Sequence, residues 1–146
     1  MQSAAINIFL NYSSQNGSVY FIFVRKYKGR QRLVFSTLPD ENRGVVKVSI
    51  SPKYFEKAVD ILKFERVEDG KKTFYYTTSQ EKFYTLMIYT FTLRVLKDKK
   101  KMNRLLDIIL GLHYFELLFW ANKLIYAKDY REEDRIARGF LKVYNI

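Results

Sequence analysis

Two-residue alternation marks residues 18–27 (SVYFIFVRKY), a β-branched and aromatic run without a breaker, and it predicts a strand. Val19, Phe21, Phe23 and Arg25 fall on one face; Tyr20, Ile22, Val24 and Lys26 fall on the other. The first set reads as core and the second as a surface able to bind. Lys28-Gly29-Arg30 is a tight connection, and residues 31–37 (QRLVFST) return as the partner strand, with Arg32, Val34 and Ser36 alternating against Leu33, Phe35 and Thr37. Residues 4–10 read as a strand before this hairpin, and residues 11–18 (NYSSQNGS) as a turn. Residues 45–50 (VVKVSI) form a short strand with Lys47 turned away from Val46 and Val48. Residues 64–68 and 72–78 flank Asp69-Gly70, a hairpin signal. Short turns between neighbours make the expected sheet antiparallel, with about five to six strands.

Helical spacing appears elsewhere. Ser51-Pro52 pairs a hydroxyl at the cap with a proline whose missing N–H costs nothing, and predicts a helix to about residue 62 with Tyr54 or Phe55, Ala58, Ile61 and Leu62 on one face. Residues 80–97 form a helix apolar on most sides, ended by the basic break KDKKK at 97–101. Residues 102–127 read as one long helix. Asp129 and Glu132 make a capping box for a last helix, residues 130–144. Strands first and helices second predict an α+β fold in one domain, residues 1–78 mainly β with one helix and residues 79–146 helical.

The long helix carries LLDIILGLHYFELLFWANKLIYA, about the length a bilayer requires. Asp107, Glu116 and Lys123 interrupt it, so no membrane span is expected. Leu105, Leu112, Phe119 and Tyr126 recur every seventh residue, with Ile108 and Phe115 between them. That stripe suits a buried central helix or a homodimer seam through Leu105, Ile108, Leu112, Phe115 and Phe119.

Charge changes the picture. Lys and Arg number 26 against 15 acids, a formal net charge of +11 over 146 residues. Self-repulsion of that size points to a polyanionic partner: nucleic acid, an anionic membrane surface or an acidic protein. The chain has no cysteine, which excludes disulfides and thiolate metal sites and fits a reducing, cytoplasmic setting, nucleoid-associated if the partner is DNA. Residues 1–10 lack a basic, then apolar leader pattern, so no signal peptide is expected. The Lys-, Ile- and Tyr-rich composition points to a heat-adapted source.

Candidate catalytic chemistry is sparse. His113, the only histidine, has Glu116 one helical turn on; an acid–base pair competes with a histidine satisfied by a neighbouring carboxylate, and no nucleophile stands near them in sequence. The 6 glycines are scattered at turns rather than gathered into a phosphate loop. Pro39-Asp40 and Asp69-Gly70-Lys71 resemble the spacing of a metal-dependent nuclease, which needs two carboxylates on one magnesium. Here both acids fall in loop or turn sequence, and an enzyme with a metal or other cofactor is not expected.

The basic hairpin is more specific. RKYKGRQR holds Arg25, Lys26, Lys28, Arg30 and Arg32 around Tyr27. Cations track phosphates, and rings offer stacking platforms for unpaired bases. Tyr20, Tyr75 and Lys47 join them as candidate contacts. SVYFIFVRKYKGRQRLVFST followed by VVKVSISPKYFEKAV resembles the ThermoDBP-related proteins, single-stranded DNA-binding proteins of hyperthermophilic archaea, over about two-thirds of the chain. The resemblance implies a sheet packed with helices, a basic cleft lined by rings, and sometimes a helical dimerisation element. The expectation is a non-catalytic protein that binds single-stranded DNA or RNA with little sequence preference, through Tyr20, Arg25, Lys26, Tyr27, Lys28, Arg30, Arg32, Lys47 and Tyr75. The alternatives are an assembly module built on residues 102–127 and, behind it, the nuclease.

Overall fold

The computed structural model describes residues 3–146. Its first elements are α1 (Ala4–Ser14), β1 (Tyr20–Tyr27), β2 (Arg30–Ser36), β3 (Val46–Ile50), α2 (Pro52–Ile61), β4 (Glu65–Asp69) and β5 (Lys72–Thr77). The helices α3 (Gln80–Val95), α4 (Lys99–Leu110), α5 (Tyr114–Ile125) and α6 (Tyr130–Val143) complete it. The fold is α+β. One five-stranded antiparallel sheet has the order β3-β2-β1-β5-β4. The described residues pack as two compact units divided between Phe83 and Tyr84, within α3.

In the first unit the expected hairpins form. Lys28 and Gly29 both take positive φ, 49° and 76°, the backbone of a two-residue turn whose twist matches its strands. Gly70, with φ 64°, turns β4 into β5. The segment 4–10 is a helix and not the expected strand. Ser3 caps α1 by accepting from the Ile6 N–H, and Ala5, Ile8, Phe9 and Tyr12 recur at three-to-four spacing. They pack on Phe21, Phe23, Phe74 and Tyr76 of the sheet. The opposite face carries Ile22, Leu33, Phe35 and Tyr75, all buried, and Phe55 of α2 meets Tyr75 edge-on. On α2 the buried positions are Phe55, Ala58 and Val59, with Leu62 just beyond the helix, while Ile61 is exposed. Ser51 occupies the cap position without a side-chain cap bond, so Pro52 sets this start.

In the second unit, residues 102–127 are not one helix. α4 and α5 are bent by 119° at Gly111–His113. His113 caps α5: its Nδ1 accepts from the Phe115 N–H, and Glu116 Oε1 accepts from the His113 N–H. The break divides the seven-residue stripe, so Leu105, Ile108, Leu112, Phe115 and Phe119 form no continuous seam. Leu105 is fully buried on α4, whereas Phe115 and Phe119 project from α5. Among the described residues no single helix is long and apolar enough to cross a membrane; α4 and α5 meet that length and composition only as the bent pair.

Candidate nucleic-acid interface

Strand register decides which candidates share a surface. Arg25 pairs with Arg32, Arg32 with Ser49, Tyr27 with Arg30, and Val34 with Lys47. Side chains directly opposite share a face, so Arg25, Tyr27, Arg30, Arg32 and Lys47 lie together on the face that α1 covers at its other end. All five are exposed. Tyr27 is 69% exposed at the tip, with the Lys28 ammonium 5.3 Å from its ring centroid.

Two of these cations have internal partners. Arg25 donates through Nε and a terminal nitrogen to the Glu41 carboxylate, at 2.9 and 3.0 Å. The hydrogen-bonded guanidinium holds the Glu41 carboxyl below the ordinary glutamate range, against a smaller opposing push from burial. Lys72 acts on Glu41 in the same downward direction. Arg30 donates to the hydroxyl and the carbonyl of Ser49 at 3.2 and 3.3 Å, which orients its guanidinium while leaving its charge unneutralised.

The remaining sequence candidates lie elsewhere. Lys26, by alternation, is on the opposite face. Tyr20 is half-buried with its ring 5.1 Å from that of Phe83, and Tyr75 is buried with its ring 5.1 Å from that of Phe55. Neither ring is presented for stacking. A sheet face lined by rings is therefore corrected to a basic face with one exposed ring, Tyr27. The cause is that both faces of the sheet are covered near the α1 end, so alternation there does not separate core from surface.

His113 and Glu116 form a cap, not an acid–base pair. Tyr144 Oη donates to Glu116 Oε2 at 2.5 Å and accepts from Trp120 Nε1 at 3.1 Å, tying the start of α5 to the residue after α6. The Tyr144 hydrogen bond, more than the His113 N–H, lowers the Glu116 carboxyl.

The two acids of the nuclease pattern, Asp40 and Asp69, line one cavity of about 240 Å³ with Glu41 and Lys72, but Lys71, the lysine of the pattern, is not among its lining residues. Each carboxylate is already engaged: Asp40 caps Asn42 at 3.0 Å, Asp69 accepts from the Ala4 N–H at 3.2 Å, and Glu41 holds Arg25. Among the described residues no group of three or more His, Cys, Asp or Glu side chains is arranged to hold a metal ion.

Sequence reading missed Glu41, which sits in a segment taken as a polar loop; its partnership with Arg25 across 16 residues leaves no local trace. In the second unit Phe115, Phe119 and Tyr126, all named in the seven-residue stripe, are exposed rings, and so is Tyr130, which sequence reading did not single out. Lys123 lies 5.0 Å from the Phe119 centroid and Arg131 5.9 Å from that of Tyr130. Phe115 and Phe119 are four apart and off the buried stripe of Leu117, Trp120, Ala121 and Leu124. Comparison with family models, curated proteins and solved structures finds no match.

Proposed function

We propose that this protein binds single-stranded nucleic acid non-catalytically, led by phosphate contacts on the exposed face of the β1–β2–β3 corner. The observation that carries the reading is the register itself, which collects Arg25, Arg30, Arg32 and Lys47 on one uncovered sheet face beside the exposed Tyr27. Guanidinium and ammonium groups on paired strands start from an ordered backbone, so only their side-chain rotamers are left to fix on meeting successive phosphates. Tyr27 offers one stacking platform at the tip, and duplex bases hide their faces from such a ring. This is also the activity that the resemblance to ThermoDBP-related proteins implies. A partner-binding role draws on a different observation, the exposed rings Phe115, Phe119 and Tyr126.

The test is fluorescence anisotropy of labelled single-stranded and duplex oligonucleotides at several salt concentrations. The reading requires tighter binding of the single strand with a measurable salt slope. No binding of either at low salt ends it, and moves attention to the α5 rings and sedimentation of the protein alone.

A further inference from the structure

The opposite side of the same hairpin holds a second cavity, of about 340 Å³, between the sheet and α2. That volume is in the range of small-molecule sites. Its walls include Val24, Val59 and Phe64. Its polar lining is Lys26, Gln31, Glu56, Asp60, Arg66 and Thr73, with Tyr75 beside Arg66. Lys26 and Gln31 are direct cross-strand partners, and Glu56 and Asp60 are one helical turn apart on α2.

Gln31 sets this cavity apart. It is only 3% exposed, and its Oε1 is buried with no hydrogen-bond partner. Turning the amide over only exchanges an unpartnered acceptor for an unpartnered donor. Buried carboxamides are ordinarily satisfied, so this one retains unused hydrogen-bonding capacity. The charged lining is balanced, two cations against two carboxylates, which suits a neutral polar ligand and not a phosphate. The side-chain oxygens of Gln31, Glu56, Asp60 and Thr73 can accept from an amine. An amine-bearing nucleobase has these properties: it is neutral and flat, and its exocyclic N–H₂ donates to carboxamide and carboxylate oxygens. Only an unpaired base can enter such a recess.

We infer that this cavity receives an unpaired, amine-bearing base, cytosine or adenine. The inference rests on the single-strand reading above and adds base choice to it. Lys26 points to the cavity side while its chain neighbours Arg25 and Tyr27 point to the basic face. The basic face and the cavity are opposite faces of one hairpin, so a strand held at its tip reaches the cavity by turning about the β1–β2 end. The base comes either from such a strand or from a free nucleoside.

Anisotropy with cytosine-only and thymine-only oligonucleotides of equal length tests this, because thymine lacks the exocyclic amine. The intact protein is expected to hold the cytosine strand about tenfold more tightly, one good base contact's worth of discrimination. Gln31→Leu is expected to bring that ratio to about one with the salt slope unchanged. If Gln31→Leu fails to fold, Glu56→Ala with Asp60→Ala, both exposed on α2, must lower the same ratio. Equal affinities in the intact protein, or a ratio untouched by these variants, overturn the cavity and leave the basic-face reading standing. Binding of neither strand removes the basic-face reading. Calorimetry with free cytidine then decides the cavity alone: saturable binding lost in Gln31→Leu keeps it, and no heat ends it.

Discussion

Replacing Arg32 and Lys47 with glutamine tests the basic face quantitatively. Both side chains are exposed, and glutamine keeps length and polarity, so stability should change by no more than about 0.5 kcal/mol each. Among the described residues Lys28, Arg30, Arg32 and Lys47 have no carboxylate partner, whereas Arg25 is committed to Glu41. Four available cations, each neutralising one phosphate of a single strand, give a slope of log K against log salt of about −2.8. The double variant keeps two, for a slope of about −1.4. Between about 50 and about 200 mM salt, affinity should fall about 50-fold for the intact protein and about sevenfold for the variant. Anisotropy of one labelled single strand across that range reads both slopes directly. A variant slope equal to that of the intact protein would refute the reasoning, even if affinity fell, because the lost groups would not have been displacing counterions.

Further expectations use other parts of the structure. Glu41→Gln releases Arg25 and should steepen the salt slope by about 0.7 as affinity rises. Since folding lowers the Glu41 carboxyl, its pairing stabilises fully above the ordinary glutamate range and is lost as pH falls through that range and below; thermal melts of the intact protein and Glu41→Gln should therefore converge in acid. Tyr75→Ala should cost about 3–5 kcal/mol in chemical denaturation, as for a buried ring, and a stable variant with weakened strand binding would instead make Tyr75 a contact. Tyr27→Ala should weaken single-strand binding by about 1–3 kcal/mol with an unchanged melting temperature. Gly44→Ala should destabilise by about 1–3 kcal/mol, because the new Cβ would lie 2.0 Å from Cγ1 of the buried Val34; an unchanged denaturation midpoint would mean the loop yields without cost.

The α+β class and both hairpins were legible because β1 has no breaker and the turns carry glycine where positive φ is needed. The first segment was misread for want of a longer window: Ala4 to Leu10 is apolar enough for a strand, and only Tyr12 completes the helical period. Residues 102–127 read as one helix because a single glycine, Gly111, costs a helix only about 1 kcal/mol, and His113 with Glu116 reads as a cap only once the backbone at 111–113 is seen to break. Arg25, Arg30, Arg32 and Lys47 are exposed as expected, and alternation separates Lys26 from Arg25 correctly, but the face read as core is the one that carries the exposed cations at its far end, because α1 covers only part of it. Tyr20 and Tyr75 failed as stacking rings for a similar reason. What covers a face comes from α2 and Phe83, distant in the chain, and no local pattern reports it.

The two borders of the sheet are unequal. β4, at one border, has charged residues at four of its five positions, Glu65, Arg66, Glu68 and Asp69, and repels a neighbouring copy laid alongside it. β3, at the other, reads VKVSI and has Lys47 as its only charge. One ammonium thus guards the border most open to strand-by-strand self-pairing. Losing Lys47 to an apolar residue would open that border to self-pairing as well as remove a phosphate contact, which ties the charge at that position to the survival of the folded chain at high concentration as much as to its grip.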